Sequence, residues 1–179
     1  MIKYDIKNIK QMHLFRSMYN AYLKDLSQYS KRLRMEPITQ DEIYKIDTNP
    51  LLERYFLTDP NNSPIGFVLL GFKENTQPGT DWFIAEFYIQ PSARRQGNGR
   101  KAFKEILETH PGAFCYFVLQ QNIPAQHFWN KLKEEFRCEN ITKCYNCLHT
   151  PEDCFFEAFW NPIPPFKKEG NKENETFTN

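Results

Sequence analysis

The chain has 179 residues, with a hydrophobic fraction of 40%, an aromatic fraction of 16% and a formal net charge of +1. This length and composition suffice for one domain with a substantial core. The near-neutral charge argues against a dedicated nucleic-acid-binding protein, because binding a phosphate backbone needs an excess of Lys and Arg on one surface. Charged residues interrupt the start of the chain, and no apolar run reaches membrane-spanning length. We therefore expect a cytoplasmic protein with reduced cysteines that binds neither nucleic acid nor membrane.

The first part of the chain predicts a strand, two helices and a hairpin. Alternation of apolar and polar residues indicates the strand, apolar residues at helical spacing indicate the first helix, and a capping box of Thr39 and Glu42 starts the second. Two apolar runs joined by a turn rich in Asp, Asn and Pro indicate the hairpin. The predicted elements are a half-buried strand at Ile2, Tyr4 and Ile6, helices over residues 8–29 and from Thr39 to before Pro50, and strands over residues 52–58 and 65–72.

Residues 83–100, with the sequence FIAEFYIQPSARRQGNGR, predict a strand, a glycine loop and a helix. Nearly every position of residues 83–89 is apolar or aromatic, as in a central strand that is covered on both faces, and Pro91 ends the strand. Gly97 and Gly99 then allow a tight turn before apolar residues recur at helical spacing. Backbone N–H groups and the positive end of a helix dipole meet there, which predicts a phosphate or pyrophosphate site. The cations of this loop are Arg94, Arg95, Arg100 and Lys101.

Glu86 is the charged residue of this apolar strand. We expect it to share a face with Trp82, Ile84 and Tyr88, where an ionised carboxylate is costly to bury unless it is paired or hydrogen-bonded. One explanation is a structural ion pair with a neighbouring Arg or Lys. The other is general-base catalysis, since desolvation raises the proton affinity of a carboxylate and helps it deprotonate an alkylammonium group at neutral pH.

The rest of the chain predicts a strand, a helix, a hairpin and a tail. The apolar run over residues 113–119 follows a break at residues 110–112, and a β-α-β connection predicts that it pairs in parallel with the central strand. Asn122 is the expected N-cap of a fourth helix, with Pro124 in its first turn. Strands are predicted over residues 138–145 and 153–160, and the polar residues 161–179 are expected to be disordered.

The cysteines and histidines form no recognisable metal-binding pattern. The chain has one CxxC, and the other cysteine spacings are irregular, so we expect no metal, although zinc bound by thiolates stays open. Cys115 lies in an apolar run and is expected in the core. The cysteines around the last hairpin are Cys138, Cys144, Cys147 and Cys154. The histidines, which we interpret as surface residues, are His13, His110, His127 and His149.

Two blocks of the chain resemble the GNAT superfamily of acetyl-CoA-dependent N-acetyltransferases. The loop Arg94-Arg95-Gln96-Gly97-Asn98-Gly99 is similar to the family signature Q/R-x-x-G-x-G/A, whereas it fits neither a P-loop nor a dinucleotide fingerprint. The start of the fourth helix is similar to the family block N-x-x-A-x-x-F-Y at Asn122, Ala125 and Phe128, with Trp129 where the family often has Tyr. The resemblance is specific over residues 82–133 and covers the earlier residues only by the order of elements.

The resemblance implies an α/β (α+β) fold: a mixed, mostly antiparallel twisted sheet with two splayed parallel central strands and helices on both faces. It implies one domain over residues 1–160, acting as a monomer or homodimer. The implied reaction is direct transfer of acetyl from acetyl-CoA to a primary amine of a small molecule or peptide, in a ternary complex. A catalytically weak acyl-CoA-binding sensor or scaffold of the same fold is the alternative.

The resemblance also implies roles for individual residues. The loop amides would bind the coenzyme A pyrophosphate, the central strand would lie beside the thioester, and Glu86 would act as general base. The indole N–H of Trp129 cannot protonate the leaving thiolate, so Tyr88, Tyr116 or water would do so, and Trp129 would pack against the cofactor or fill the core. The implied cofactor-binding residues are Phe87, Ile89, Arg94, Arg95, Gln96, Gly97, Asn98, Gly99, Arg100, Asn122, Ala125 and Trp129.

Overall fold

The computed structural model describes residues 1–3, 8–31, 36–72, 74, 76, 78–145 and 153–162, without the side chains of residues 142–145 and 155. Several residues discussed above lie outside this description: Tyr4, Ile6, Cys147, His149 and residues 163–179 of the predicted tail. The strands are β1 (Ile2–Lys3), β2 (Leu52–Thr58), β3 (Pro64–Phe72), β4 (Trp82–Ile89), β5 (Ala113–Leu119), β6 (Glu139–Tyr145) and β7 (Cys154–Trp160). The helices are α1 (Ile9–Ser27), α2 (Gln40–Thr48), α3 (Asn98–Thr109) and α4 (Ile123–Glu135).

The strands form one sheet in the order β1-β2-β3-β4-β5-β7-β6. Every neighbouring pair is antiparallel except β4 and β5, which are parallel and connected through α3, as the predicted β-α-β unit requires. Apolar side chains of α1 and α2 pack on one face of the sheet, and those of α3 and α4 pack on the other. The structure therefore confirms the predicted mixed, mostly antiparallel sheet with helices on both faces.

The parallel pair opens along its length. Three residue pairs join β4 to β5, and the last of them is Ile84 with Tyr116. Beyond this pair, residues 85–89 of β4 and 117–119 of β5 are not paired with each other, and we call the gap between them the wedge. The predicted splay of the two parallel strands is thus confirmed. Along the wedge, backbone groups on one edge of β4 are available to a ligand.

A β-bulge lies where the wedge begins. Ile84 pairs with Leu70 of β3, whereas Glu86 pairs with Leu69, so Ala85 is an extra residue in β4. An inserted residue shifts the alternation of side chains, and every residue beyond it changes face relative to the residues before it.

The bulge corrects one prediction about the central strand. Trp82 and Ile84 contact the core under α3 and α4, whereas Ala85 and Tyr88 contact the core under α1 and α2. Glu86 therefore shares a face with Tyr88, but the expectation that it also shares a face with Trp82 and Ile84 is wrong. The reason is the bulge, which re-aims the carboxylate toward α1.

Several helix boundaries follow from the sequence. Asn8 caps α1, the capping box of Thr39 and Glu42 starts α2, and the Asn122 side chain caps α4 with Pro124 in the first turn. These side chains satisfy N–H groups that have no acceptor within the helix. The predicted starts of α2 and α4 are confirmed.

Two burial predictions are wrong, those for His110 and for the covering of β4. His110 is buried with 6% exposure, because it ends α3 against the ring of Trp82 at a centroid distance of 4.5 Å. Its Nε2 also lies 3.0 Å from an oxygen of Glu53, so it is not a surface residue. Ile2 is 41% exposed, and the other two residues of the expected half-buried strand lie outside the described residues, so that expectation stays a prediction. In β4 the side chain of Phe83 stays partly exposed, so the strand is not covered along both faces.

Candidate active site

The carboxylate of Glu86 lies beside the wedge, one residue beyond the bulge. α1 presents Tyr19 and Tyr22 on one side of the helix, because residues three apart are neighbours on a helix surface. The hydroxyl of Tyr19 donates to Oε1 of Glu86 at 3.0 Å, and the hydroxyl of Tyr22 donates to Oε2. Within the described ranges no Lys, Arg or His forms an ion pair with Glu86. The structural ion pair considered from the sequence is therefore absent from these ranges.

Burial raises the pKa of Glu86 to about 7, and the hydrogen bonds from Tyr22 and Tyr19 oppose this rise. A carboxyl group with such a pKa is present in both protonation states near neutral pH. Burial, followed by the charge of Glu86, raises the pKa of both tyrosines above the ordinary value. Both hydroxyl groups thus remain protonated donors. The result is a base that can accept and release a proton under physiological conditions.

The glycine loop is shaped by its backbone. A 3₁₀ turn (Pro91–Ala93) follows β4, and two residues then adopt left-handed backbone angles, Arg95 with φ 59° and Gly97 with φ 79°. Glycine tolerates this conformation because it has no Cβ, whereas it strains Arg95. The side-chain amides of Gln96 and Asn98 donate to carbonyl groups of the 3₁₀ turn at 2.8 and 2.9 Å. These bonds fix the path of the loop.

The loop ends at the start of α3. Gly97 is the N-cap, and first-turn N–H groups have no acceptor within a helix. Among the residues that the structure describes, none accepts from the N–H groups of Asn98, Gly99 or Arg100. A Cβ on Gly99 would lie 2.7 Å from Cε2 of Phe128, so glycine lets this ring of α4 approach the start of α3. The N–H groups and the helix dipole together suit an anion.

Half of the loop's predicted positive charge is already paired. The ion pairs are Arg94–Asp25 and Arg100–Glu135. Nε of Arg94 also donates to the carbonyl of Ile89 at 2.8 Å, which ties the loop to the end of β4. In the part of the chain described, Arg95 and Lys101 form no ion pair, and both are exposed. These two cations are the ones available to an anionic ligand.

The second family-like block lies on α4. Oδ1 of Asn122 accepts from the N–H of Ala125 at 3.1 Å. Trp129 is 7% exposed, stacks on Tyr116 at a centroid distance of 4.7 Å and contacts the ring of Phe87 at 5.4 Å. Trp129 therefore fills the core, which is one of the two roles considered from the sequence. Contacts of Asn122, Ala125 and Trp129 with a cofactor remain predictions.

The two tyrosines considered as general acids are buried. Tyr88 is 3% exposed and packs against Tyr22 at a centroid distance of 5.6 Å, while burial raises its pKa. Tyr116 is 1% exposed, its hydroxyl donates to Glu157, and burial raises its pKa as well. A proton donor to a leaving thiolate must reach it. Both hydroxyl groups are buried in the structure, and the identity of the acid, Tyr88, Tyr116 or water, remains a prediction.

Sequence patterns did not identify Tyr19 and Tyr22 as partners of Glu86. Both belong to the apolar stripe of α1, where aromatic residues are normally core. The sequence did contain one indication of a polar partner, namely two tyrosine hydroxyl groups three residues apart on this apolar stripe. Their acceptor became apparent only with the bulge in β4, which turns Glu86 toward α1.

Comparison with known proteins identifies the class. The chain matches the acetyltransferase (GNAT) family over residues 15–133. The chain therefore belongs to the GNAT family, as the glycine loop and the α4 block had indicated, and its family activity is acetyl transfer. No curated protein matches it.

Solved structures share the fold at low sequence identity. An acetyltransferase from Thermus thermophilus is 13% identical with a TM-score of 0.58, and the match covers 80% of this chain and 88% of that one. A GNAT-family acetyltransferase from Staphylococcus aureus Mu50 is 12% identical with a TM-score of 0.56, covering 88% and 95%. An N-acetyltransferase from the same organism is 15% identical with a TM-score of 0.53, covering 84% and 91%. These structural similarities show that the chain shares the fold of these proteins.

Other kinds of site are not found in the described residues. There, no group of three or more His, Cys, Asp or Glu side chains is arranged to hold a metal ion. Cys115 is buried as expected, while Cys147 and the side chain of Cys144 lie outside the description. No helix in the same ranges has the length and hydropathy of a membrane span.

Proposed function

We propose that this protein transfers an acetyl group from acetyl-CoA to a primary amine by direct attack in a ternary complex, with Glu86 as general base. The observation that carries the proposal is the carboxylate of Glu86, which lies beside the wedge and is hydrogen-bonded to two neutral hydroxyl groups. The acceptor is a small molecule or a peptide, and residues 1–160 form the catalytic domain.

The donor site combines the loop, α3, α4 and the free edge of β4. The N–H groups at the start of α3 bind the pyrophosphate of coenzyme A, with Arg95 and Lys101 as additional cations. Along the wedge, the backbone of Phe87 to Ile89 binds the acyl arm and stabilises negative charge on the thioester oxygen. Acetyl-CoA supplies the activated acetyl group, and the protein supplies position and electrostatics.

Glu86 prepares the acceptor for attack. An alkylammonium group has an ordinary pKa of about 10.4 and must lose a proton before its nitrogen can attack. Burial raises the pKa of Glu86 to about 7, so its carboxylate takes this proton more readily than an exposed glutamate would. Tyr19 and Tyr22 hold the carboxylate in place through its two oxygens. They are positioning residues.

Calorimetric titration with acetyl-CoA tests the donor site. The parent protein should bind acetyl-CoA, and Gly97→Glu should weaken binding by about a hundredfold or more, because it adds bulk and negative charge beside the pyrophosphate. Gly79→Glu is a matched control, since Gly79 has the same φ of 79° and, like Gly97, no atom within 4 Å of a built Cβ. Failure of the parent to bind, or equal loss in both variants, would refute the proposed site.

A binding module without efficient turnover is the second candidate. It is favoured by Trp129 in place of the family's usual Tyr and by the burial of Tyr88 and Tyr116, which leave no accessible tyrosine acid among the residues considered. Such a sensor or scaffold would bind acetyl-CoA and release no thiol with any amine. Thiol release in an amine screen therefore separates the two candidates.

The pH dependence of the Tyr22→Phe variant tests the positioning of Glu86. The base must be deprotonated, so activity of the parent should rise with pH through a pKa of about 7. Hydrogen bonds from Tyr22 and Tyr19 lower this pKa, so removing one moves the rise to higher pH. A hydrogen bond to a charged group contributes roughly 1.5–3 kcal/mol, so kcat/KM at pH 6 should fall about tenfold or more.

The same profile contains the control for Tyr22→Phe. At a pH above the rise in both proteins, much of the activity should return, because Glu86 is then ionised in each. Tyr44→Phe should leave the profile unchanged, since Tyr44 is 65% exposed on α2. A uniform loss of activity at all pH values would mean that Tyr22 acts only through packing.

A further inference from the structure

Three phenylalanine rings form a row on the sheet face that carries α1 and α2. Phe83 of β4 contacts Phe117 of β5 at a centroid distance of 5.6 Å, and Phe117 contacts Phe156 of β7 at 5.7 Å. We call these three residues the aromatic row. It crosses the centre of the sheet, from one side of the parallel pair to the strand beyond it.

The aromatic row is not part of the core. In the described structure its members belong to neither of the two clusters of buried apolar residues, and all three side chains are partly exposed. α1 and α2 cover the other half of this face, where their apolar side chains pack on residues of β2, β3 and β4. Adjacent aromatic rings that remain accessible in the middle of a sheet indicate a binding surface.

The aromatic row continues the site of Glu86. Phe83 and Glu86 pair with Gly71 and Leu69 of β3, two residues apart in that strand and hence on one face. Phe117 comes directly after the last paired residue of β5, so it lies at the start of the wedge. A ligand that reaches Glu86 along this face therefore has the aromatic row beside it.

Beyond Glu86 of β4, the next two strands, β5 and β7, contribute no charged side chain to this face. Tyr116 and Val118 point into the core under α3 and α4, so the alternate residues of β5 and their partners in β7 lie on the opposite face. These are Ala113, Cys115, Phe117 and Leu119 of β5 and Cys154, Phe156, Ala158 and Trp160 of β7. Among these described residues of β5 and β7, a second ammonium group of a polyamine would find no carboxylate.

We infer that the acceptor is a primary amine attached to an aromatic group, such as an arylalkylamine, with its ring on the aromatic row and its nitrogen at Glu86. This inference rests on the proposed function and adds the substrate class. Aromatic rings pack favourably edge to face or offset, and burial of a phenyl group supplies binding energy that a short alkylamine lacks. The carboxylate then fixes the position of the nitrogen.

Binding of two amines that differ by the ring tests the inference. The parent protein with coenzyme A bound should take up 2-phenylethylamine with a Kd about tenfold to a hundredfold lower than that of propylamine. Phe117→Ala should remove most of this difference and leave propylamine and coenzyme A binding unchanged. Phe156→Leu provides a second variant that keeps apolar volume and loses the ring. Tyr44→Ala, which removes an exposed aromatic residue of α2, is the matched control.

The outcomes separate the inference from the proposed function. If 2-phenylethylamine binds through Phe117 but no amine causes thiol release, the inference about the ligand class is supported and the proposed acetyl transfer is refuted. If propylamine or spermidine binds and is acetylated to the same extent as 2-phenylethylamine, the proposed acetyl transfer is supported and the inference of an aromatic acceptor is refuted. Equal weakening of both amines by Phe117→Ala also refutes it, as does failure of 2-phenylethylamine to bind.

Discussion

Replacing Glu86 with Gln should lower kcat/KM for acetyl transfer by about two to four orders of magnitude, the usual contribution of a positioned general base. The substituted amide is nearly the same size: its oxygen can accept from one tyrosine hydroxyl and its NH₂ group can donate to the oxygen of the other, so the local structure should persist. It cannot take the ammonium proton at any accessible pH. The measurement is the initial rate of thiol release with saturating acetyl-CoA and amine concentrations below KM, recorded from pH 6 to 9.

The control for Glu86→Gln is binding of the donor. Calorimetric titration should give the same Kd for acetyl-CoA in the variant and the parent, because the side chain of Glu86 faces α1, whereas β4 contributes only its backbone edge to the donor site. Glu108→Gln, which removes one side of a partly exposed ion pair on α3, should leave turnover unchanged. Unchanged turnover in Glu86→Gln would exclude Glu86 as the base, whereas weakened acetyl-CoA binding would point to a structural role.

The sequence predicts the order of the elements because local chemistry determines it. The stripe of α1, the capping box of α2 and the apolar run of β5 each satisfy local rules for burial or for free N–H groups. Parallel pairing of β4 and β5 follows from the intervening helix. The glycine loop could be located for the same reason, since Gly97 occupies a backbone conformation with φ 79°.

The direction of Glu86 could not be predicted, because it depends on pairing between strands. The bulge at Ala85 arises because β4 has one more residue than β3 where the two strands pair, and the composition of β4 does not indicate this. Burial of His110 similarly depends on Trp82, which is distant in sequence. The aromatic row combines residues from β4, β5 and β7, each of which is an ordinary strand phenylalanine when considered alone.

A second polar site is buried on the other face of the sheet. Nζ of Lys133 on α4 lies 2.7 Å from Oε2 of Glu157 on β7, and the two side chains are only 7% and 4% exposed. The hydroxyl of Tyr116 donates to the same carboxylate. Both charges are held away from water, so each depends on the other for compensation. This network connects α4, which carries the Asn122 block, to the sheet.

Replacing Glu157 with Gln should therefore destabilise the protein by about 3–5 kcal/mol, because it leaves the Lys133 ammonium group buried without a counter-charge. For a chain of this size the midpoint of thermal unfolding should fall by roughly 10 °C or more. The double variant Lys133→Met/Glu157→Gln should recover most of the loss, since it removes the uncompensated charge as well.

Glu135→Gln is the matched control: it breaks the pair with Arg100, whose side chain is 55% exposed, and should change the stability by less than about 1 kcal/mol. Urea unfolding of the four proteins measures these differences. If the double variant were no more stable than Glu157→Gln alone, the loss would come from the hydrogen bond of Tyr116 or from packing around Glu157, and the charge of Lys133 would not be its cause.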